Sequence, residues 1–254
     1  MGGLSVLGDI RALLPYENLV YIADSAHVPY GEKSAGFIRE RAMYLTQVLL
    51  THRAKAIVIA CNTATAAAAA QLRERFDVPI IAMEPAVKPA AAATKTGVVG
   101  VLATAGTSAS AQYAALLGRF AKNIQVVTQA CPGLPELVEA GKLDTAETRR
   151  LLTGYLEPLL TADADVIVLG CTHYPFLRPL ISDLVENSVT LVDSGAAVAR
   201  RLEHVLSEQQ LLKPKGVATY SFWTSGKPHV KPHIQLVMSR LWGAEVELRL
   251  LSSA

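Results

Sequence analysis

Ile57-Val58-Ile59-Ala60-Cys61-Asn62-Thr63-Ala64-Thr65 and Val166-Ile167-Val168-Leu169-Gly170-Cys171-Thr172-His173-Tyr174-Pro175 share one build. Each is an apolar, β-branched run that stops at a cysteine, followed by small polar residues and a helix-like or Pro-bounded stretch. A short apolar run closed by such residues reads as a buried strand, and strands alternating with helical patterns imply parallel sheets covered by helices. Two of the three cysteines in the chain sit at equivalent points of this repeated pattern, about one domain length apart. The pairing predicts two thiols that meet across a shared cleft.

Working outward, Asn18–Ala23 reads as a strand and Ser34–Arg53 as a helix, with Phe37, Met43, Tyr44, Val48 and Leu49 on its apolar face. Strand 57–60, helix 65–76 and strand 78–83 complete a first cycle. The second runs through strand 97–102, a helical 107–121, strand 124–128, a helical 144–160 and strand 166–169. Strand 190–193 and helix 196–210 follow, and Val217–Trp223 alternates enough to rejoin the first sheet. The Pro- and Ala-rich stretch 84–95 and Asp193-Ser194-Gly195 mark the boundaries. The expected architecture is α/β: two pseudo-symmetric three-layer domains with mainly parallel sheets and the active site in the cleft between them. Residues 1–84 plus 196–254 form a discontinuous first domain around an inserted second, 85–195.

Composition narrows the class. The 254 residues are 51% apolar and 18% charged, enough for a large core, and the formal net charge is only +2. With no long run of like charge, neither nucleic acid nor an acidic membrane surface is indicated, and a small-molecule substrate is. No apolar stretch approaches the roughly 18 residues that span a bilayer, and the first residues lack a signal-like pattern, so a cytoplasmic protein is expected. The widely spaced cysteines form no CxxC pair, so they read as free thiols. Metal-ligand spacing, GxGxxG and P-loop patterns are all missing.

Placement gives Cys61 and Cys171 their chemistry. Ligands of open α/β sheets bind beyond the carboxyl ends of strands, where helix N-termini offer free N–H groups that bind anions and favour thiolates. Asn62, Thr63 and Thr65 add short donors around Cys61, as Thr172 and His173 do around Cys171. Either cysteine alone reads as a small core residue. Together, each followed by polar loop residues, they read as functional. Cys131 reads as structural, the alanines 66–70 as helix filler, Tyr30-Gly31 as a loop, and Glu139, by pattern alone, as a solvated surface charge. His173 is a packing residue or, beside Cys171, an acid or base. A Cys-His hydrolase would leave the second cysteine unexplained. Two opposed thiols suit a different task, in which one removes a proton from a stereocentre and the other returns one to the opposite face. That is racemisation or epimerisation.

Cys61-Asn62-Thr63-Ala64-Thr65, the stretch from Ala23-Asp24 through Pro29-Tyr30-Gly31 to Ser34, Gly170-Cys171-Thr172-His173-Tyr174-Pro175-Phe176-Leu177, and the block from Cys131-Pro132 to Val138-Glu139 together resemble bacterial glutamate racemase. The similarity covers nearly the whole chain and weakens after about residue 212. The resemblance implies interconversion of L- and D-glutamate for peptidoglycan precursors, with no pyridoxal phosphate or other cofactor, no metal, and a homodimer. It implies Cys61 and Cys171 as the acid/base residues, with His173 and Glu139 assisting. Tyr30, Gly31, Asn62, Thr63, Thr172 and His173 fall on its substrate-contact positions. Aspartate racemases have His where Thr65 stands and Glu where His173 stands, so glutamate is the expected substrate over aspartate. The family's opening strand and Asp-Ser-Gly turn, whose Asp partners the first cysteine, have no counterpart at Met1-Gly2-Gly3, so the start is expected to be internal to a longer protein. The alternatives are an impaired scaffold acting as an interaction protein and a racemase for another amino acid.

Overall fold

The computed structural model describes residues 1–186 and 188–251. In chain order the elements are α1 (Leu4–Leu13), β1 (Leu19–Ala23), α2 (Ala35–Thr51), β2 (Ile57–Val58), α3 (Asn62–Arg75) and β3 (Ile80–Ile81). Next come α4 (Val87–Ala93), β4 (Val98–Ala103), α5 (Ala105–Ser108), α6 (Ala111–Phe120), β5 (Gln125–Ala130), α7 (Leu134–Glu139), α8 (Ala146–Thr161), β6 (Val166–Leu169), α9 (Arg178–Leu184) and β7 (Thr190–Val192). The chain closes with α10 (Gly195–Glu208), β8 (Tyr220–Thr224), α11 (Lys231–Trp242) and β9 (Leu248–Leu250). Among the described residues every strand pairing is parallel. The chain divides into two compact units, one built from Gly3–Met83 with Gly195–Ala254 and the other from Glu84–Ser194.

The unit Glu84–Ser194 is a four-stranded sheet, order β5-β4-β6-β7, with helices on both faces. Strand alternation explains the layering. Val99, Val101 and Ala103 of β4 join Val166 and Val168 of β6 against Val87 and Ala90 of α4 and Tyr113 and Leu116 of α6. Gly100 faces the other way, where an added Cβ would lie 2.8 Å from Leu159 Cδ1 of α8. Glycine there lets the helix sit close to the sheet. Residues 166–169 are buried on both faces, so they read as a continuous apolar run.

The discontinuous unit carries two parallel ladders, β1-β8-β9 and β2-β3. Around β2 the alternation again separates two layers. Ile57 and Ile59 pack with Ile38 of α2 and Ala64, Ala68, Ala69 and Leu72 of α3. Val58 and Ala60 face Val6 and Ile10 of α1 and Leu14 just after it, with Val198, Ala199 and Leu202 of α10. The alanines 66–70 that read as filler include Ala68 and Ala69, whose small side chains let α3 lie close to its neighbours.

Several sequence expectations shift. Helix α3 starts at Asn62 rather than 65, because Cys61 itself caps it. The helical 107–121 splits into α5 and α6, each begun by its own hydroxyl cap, Thr104 and Ser110. Pattern reading did not single out α1, α4, α7, α9, α11 or β9. Four of these are short, at three to seven residues by their spans, and such lengths give periodicity too little to work on.

Candidate active site

Two side-chain clusters, one in each unit, stand where the paired apolar runs end. In the discontinuous unit, β2 delivers Cys61 to the N-cap of α3, in extended backbone, and its Sγ accepts from Ala64 N–H at 3.4 Å. Asn62 and Thr63, the first two helical residues, are buried, and Cys61 is partly so. Burial pushes the Cys61 thiol up, while the Ala64 and Thr63 hydrogen bonds pull it down, and burial dominates. Cys61 is therefore a partly buried thiol whose thiolate, once formed, meets donors already in place.

Tyr30 packs against the same apolar cluster as Cys61. Its hydroxyl donates to Asp24 Oδ2 at 2.5 Å, and Arg41 grips that carboxylate through Nη2 to Oδ1 at 2.6 Å and Nε to Oδ2 at 3.0 Å. His27 Nδ1 lies 3.0 Å from Asp24 Oδ1. Burial alone would raise the Asp24 carboxyl, but hydrogen bonds from Arg41, Tyr30, Ser225 and His27 bring it down to about 2. Burial and the Asp24 charge together push the Tyr30 phenol well up, so it remains a donor. Asp24 thus fixes Tyr30, with Gly31 next in the loop. Sequence reading gave Arg41 no role, since a helix residue so far along the chain from Asp24 carries no local signal of the pairing.

In the inserted unit, β6 runs through Gly170 into Cys171. An added Cβ on Gly170 would lie 2.7 Å from the Leu102 carbonyl oxygen, so glycine permits the strand exit. Cys171 Sγ is 3.5 Å from His173 Nδ1, and His173 Nε2 is 2.7 Å from Glu139 Oε1. Glu139 ends α7, and its side chain is only 17% exposed, against 12% for His173. The solvated reading of Glu139 is therefore wrong: α7 turns its last residue inward to an imidazole that periodicity cannot reveal. Burial would raise the Glu139 carboxyl, yet the His173 hydrogen bond is among the interactions that hold it low. Burial draws His173 below its ordinary value, although Glu139 opposes this. An ionised carboxylate only accepts, so it fixes the proton of neutral His173 on Nε2 and leaves Nδ1 facing the Cys171 thiol as acceptor. Thr172, between them, is buried.

The loop is rigidly seated. Tyr174 is wholly buried and its hydroxyl lies 3.4 Å from the carbonyl oxygens of Ala103 and Cys131. Cys131 is buried, its Sγ donates to the Gln129 carbonyl at 3.3 Å, and burial pushes its thiol up to about 12. It serves as framework. All three cysteines are free thiols. Among the described residues no group of three His, Cys, Asp or Glu could hold a metal ion, and no helix is long and apolar enough to cross a membrane.

One unit carries a strand-end cysteine beside helix-terminal donors, and the other a cysteine, a histidine and a carboxylate in a hydrogen-bonded row. Residues 8–202 match the Asp/Glu/hydantoin racemase family. The chain is 57% identical over 249 residues to a glutamate racemase of Ectopseudomonas mendocina, covering 98% of this chain and 94% of that relative. Among solved structures, glutamate racemase isoform RacE1 of Bacillus anthracis superposes with a TM-score of 0.87 at 31% identity, covering 99% of this chain and 94% of the other. Escherichia coli glutamate racemase, in complex with L-glutamate and the activator UDP-MurNAc-ala, gives 0.87 at 34% identity, with 99% and 94% covered. The chain belongs to the Asp/Glu racemase family and, within it, to the glutamate racemases. It is an isomerase, and the alternative of a scaffold that only binds a partner is not favoured.

Proposed function

We propose that this chain interconverts L- and D-glutamate by a two-thiol mechanism, with Cys61 and Cys171 as the acid/base pair. The observation that carries this reading is the Cys171-His173-Glu139 relay, which equips one of the two strand-end thiols with a base. One cysteine, as thiolate, takes the α-proton, and the electron pair stays on the α-carbon. The other, as thiol, gives its proton to the opposite face and becomes the thiolate. Charge is conserved, and the reverse reaction exchanges the roles.

The α-proton of an amino acid with an ionised carboxylate is weakly acidic, so charge developing there needs preorganised donors. Asn62, Thr63, Thr172 and the first N–H groups of α3 supply them, Tyr30-Gly31 and His173 add substrate contacts, and exclusion of water strengthens each interaction. Neutral His173 takes the proton of Cys171 to generate a thiolate, while burial keeps Cys61 protonated at rest. The reaction in this proposal uses neither pyridoxal phosphate nor a metal. The proposal extends to the two-domain organisation, residues 1–84 plus 196–254 and 85–195. It also extends to a cytoplasmic homodimer that supplies D-glutamate for peptidoglycan.

Racemisation in deuterium oxide tests it: solvent deuterium should appear at the α-carbon of the product enantiomer. Activity surviving the combined Cys61→Ser and Cys171→Ser exchange would overturn the two-thiol reading.

A further inference from the structure

Cys61 owes its position to the point where β2 stops being a strand and α3 begins, and that transition is held from the side. The β2-β3 ladder has rungs from Ile57 N–H to the Pro79 carbonyl and from Ile59 N–H to the Ile81 carbonyl, each 2.9 Å. Two residues past Ile81, Met83 N–H leaves this ladder and donates to Thr65 Oγ1 at 3.3 Å. Thr65 N–H in turn donates to the Cys61 carbonyl at 2.9 Å and closes the first turn of α3. The circuit runs from β2 to β3, through Met83 to the Thr65 hydroxyl, and back to Cys61. Met83 is buried, at 5% exposure, so its N–H has little access to water and holds its acceptor firmly.

We infer that Thr65 is a positioning residue for proton transfer at Cys61: its hydroxyl locks the first turn of α3 to the end of β3. A helix start fixed only by its own backbone could pivot about the Cys61 cap. The added cross-link sets the depth of Ala64 N–H, and with it the direction of Sγ. Thr65 has no part in the proton transfer itself. Its oxygen is engaged by Met83, and its effect on Cys61 passes through one turn of backbone. Proton transfer between heavy atoms is steep in distance and angle, so a small pivot lowers the rate without removing the thiol. The inference rests on the reading of Cys61 as one of the two acid/base residues.

Thr65→Val keeps the shape and removes the acceptor. It should lower kcat by about tenfold or more with little change in KM. Primary isotope effects measured with α-deuterated L- and D-glutamate should rise in one direction only, the one in which Cys61 takes the proton, and the same measurement on Cys61→Ser identifies that direction. Thr65→Ser, which restores the hydroxyl, should recover kcat and both isotope effects. Hydrogen exchange at the Met83 amide supplies a readout that needs no variant, and it should be protected in the unsubstituted chain. Unchanged kinetics in Thr65→Val, a rise shared equally by both directions, failure of Thr65→Ser to recover, or rapid exchange at Met83 would each overturn the role of Thr65. A chain that racemises glutamate yet keeps full activity as Cys61→Ser would overturn the reading of Cys61 itself.

Discussion

Cys61 and Cys171 end the same kind of strand, yet their surroundings solve different problems. Cys61 faces donors: Ala64 N–H and Thr63, at the start of a fourteen-residue helix. Cys171 faces an acceptor, His173 Nδ1, backed by a buried carboxylate. Donors stabilise a thiolate once it exists but take no proton, whereas a neutral imidazole takes one. The proposed two-thiol mechanism needs one thiol and one thiolate at the outset, and unequal surroundings would supply that asymmetry where two identical sites would leave the protonation state undecided.

The largest effect that would break this contrast comes from His173. His173→Ala should lower kcat by about a hundredfold or more, with the isotope effect rising only in the direction in which Cys171 takes the proton. An equal rise in both directions would mean that the imidazole serves both thiols.

Glu139→Gln sharpens it. The proposed mechanism requires neutral His173, and burial draws this histidine below its ordinary 6.5, so the acidic limb of the kcat profile should lie below pH 6.5. Glu139 works against that lowering. Its replacement should move the limb further to acid, with a loss of about tenfold at the plateau as the charge-assisted bond goes. A limb that stays in place would remove His173 from the titration.

Gly170→Ala tests the framework of the Cys171 side, because its Cβ would press on the Leu102 carbonyl oxygen at 2.7 Å. Thermal unfolding should show a loss of about 1–3 kcal/mol. A stable, fully active variant would show that the strand exit is pliable.

The framework of the Cys61 side depends on Asp24, whose native carboxyl is depressed from 3.8 to about 2. A depressed carboxyl stabilises above its unfolded value, and the contribution disappears as pH falls through the native one. The difference corresponds to about 2 kcal/mol at neutral pH. Asp24→Asn should be less stable by roughly that amount at pH 7, measured by denaturant unfolding. It should also lose the part of the acid dependence that lies between about pH 4 and pH 2. A variant with the same stability at both ends would show that Arg41 and Tyr30 find other partners.

Much of this was legible in the chain. The runs Ile57–Ala60 and Val166–Leu169 disclose strands of parallel sheets, since short apolar runs without alternation, closed by turn-like residues, fit strands covered by helices. Their ends single out Cys61, Asn62, Thr63, Cys171, Thr172 and His173 as candidate site residues, because strand ends leading to helix starts are where open α/β sheets bind anions. The Cys61 cap escaped, since cysteine is not among the usual capping residues, and so the start of α3 was placed three residues late.

The sequence by itself thus determined the alternation of elements, the parallel sheets, and the two thiols with their polar neighbours, because each depends on local pattern within a few residues. Only the tertiary structure decided that Glu139 is buried against His173, that Arg41 and Tyr30 converge on Asp24, and that Thr65 holds Met83. Those are contacts between separate elements, made by the way helices pack on sheets, and no short-range pattern encodes which side chains such packing brings together.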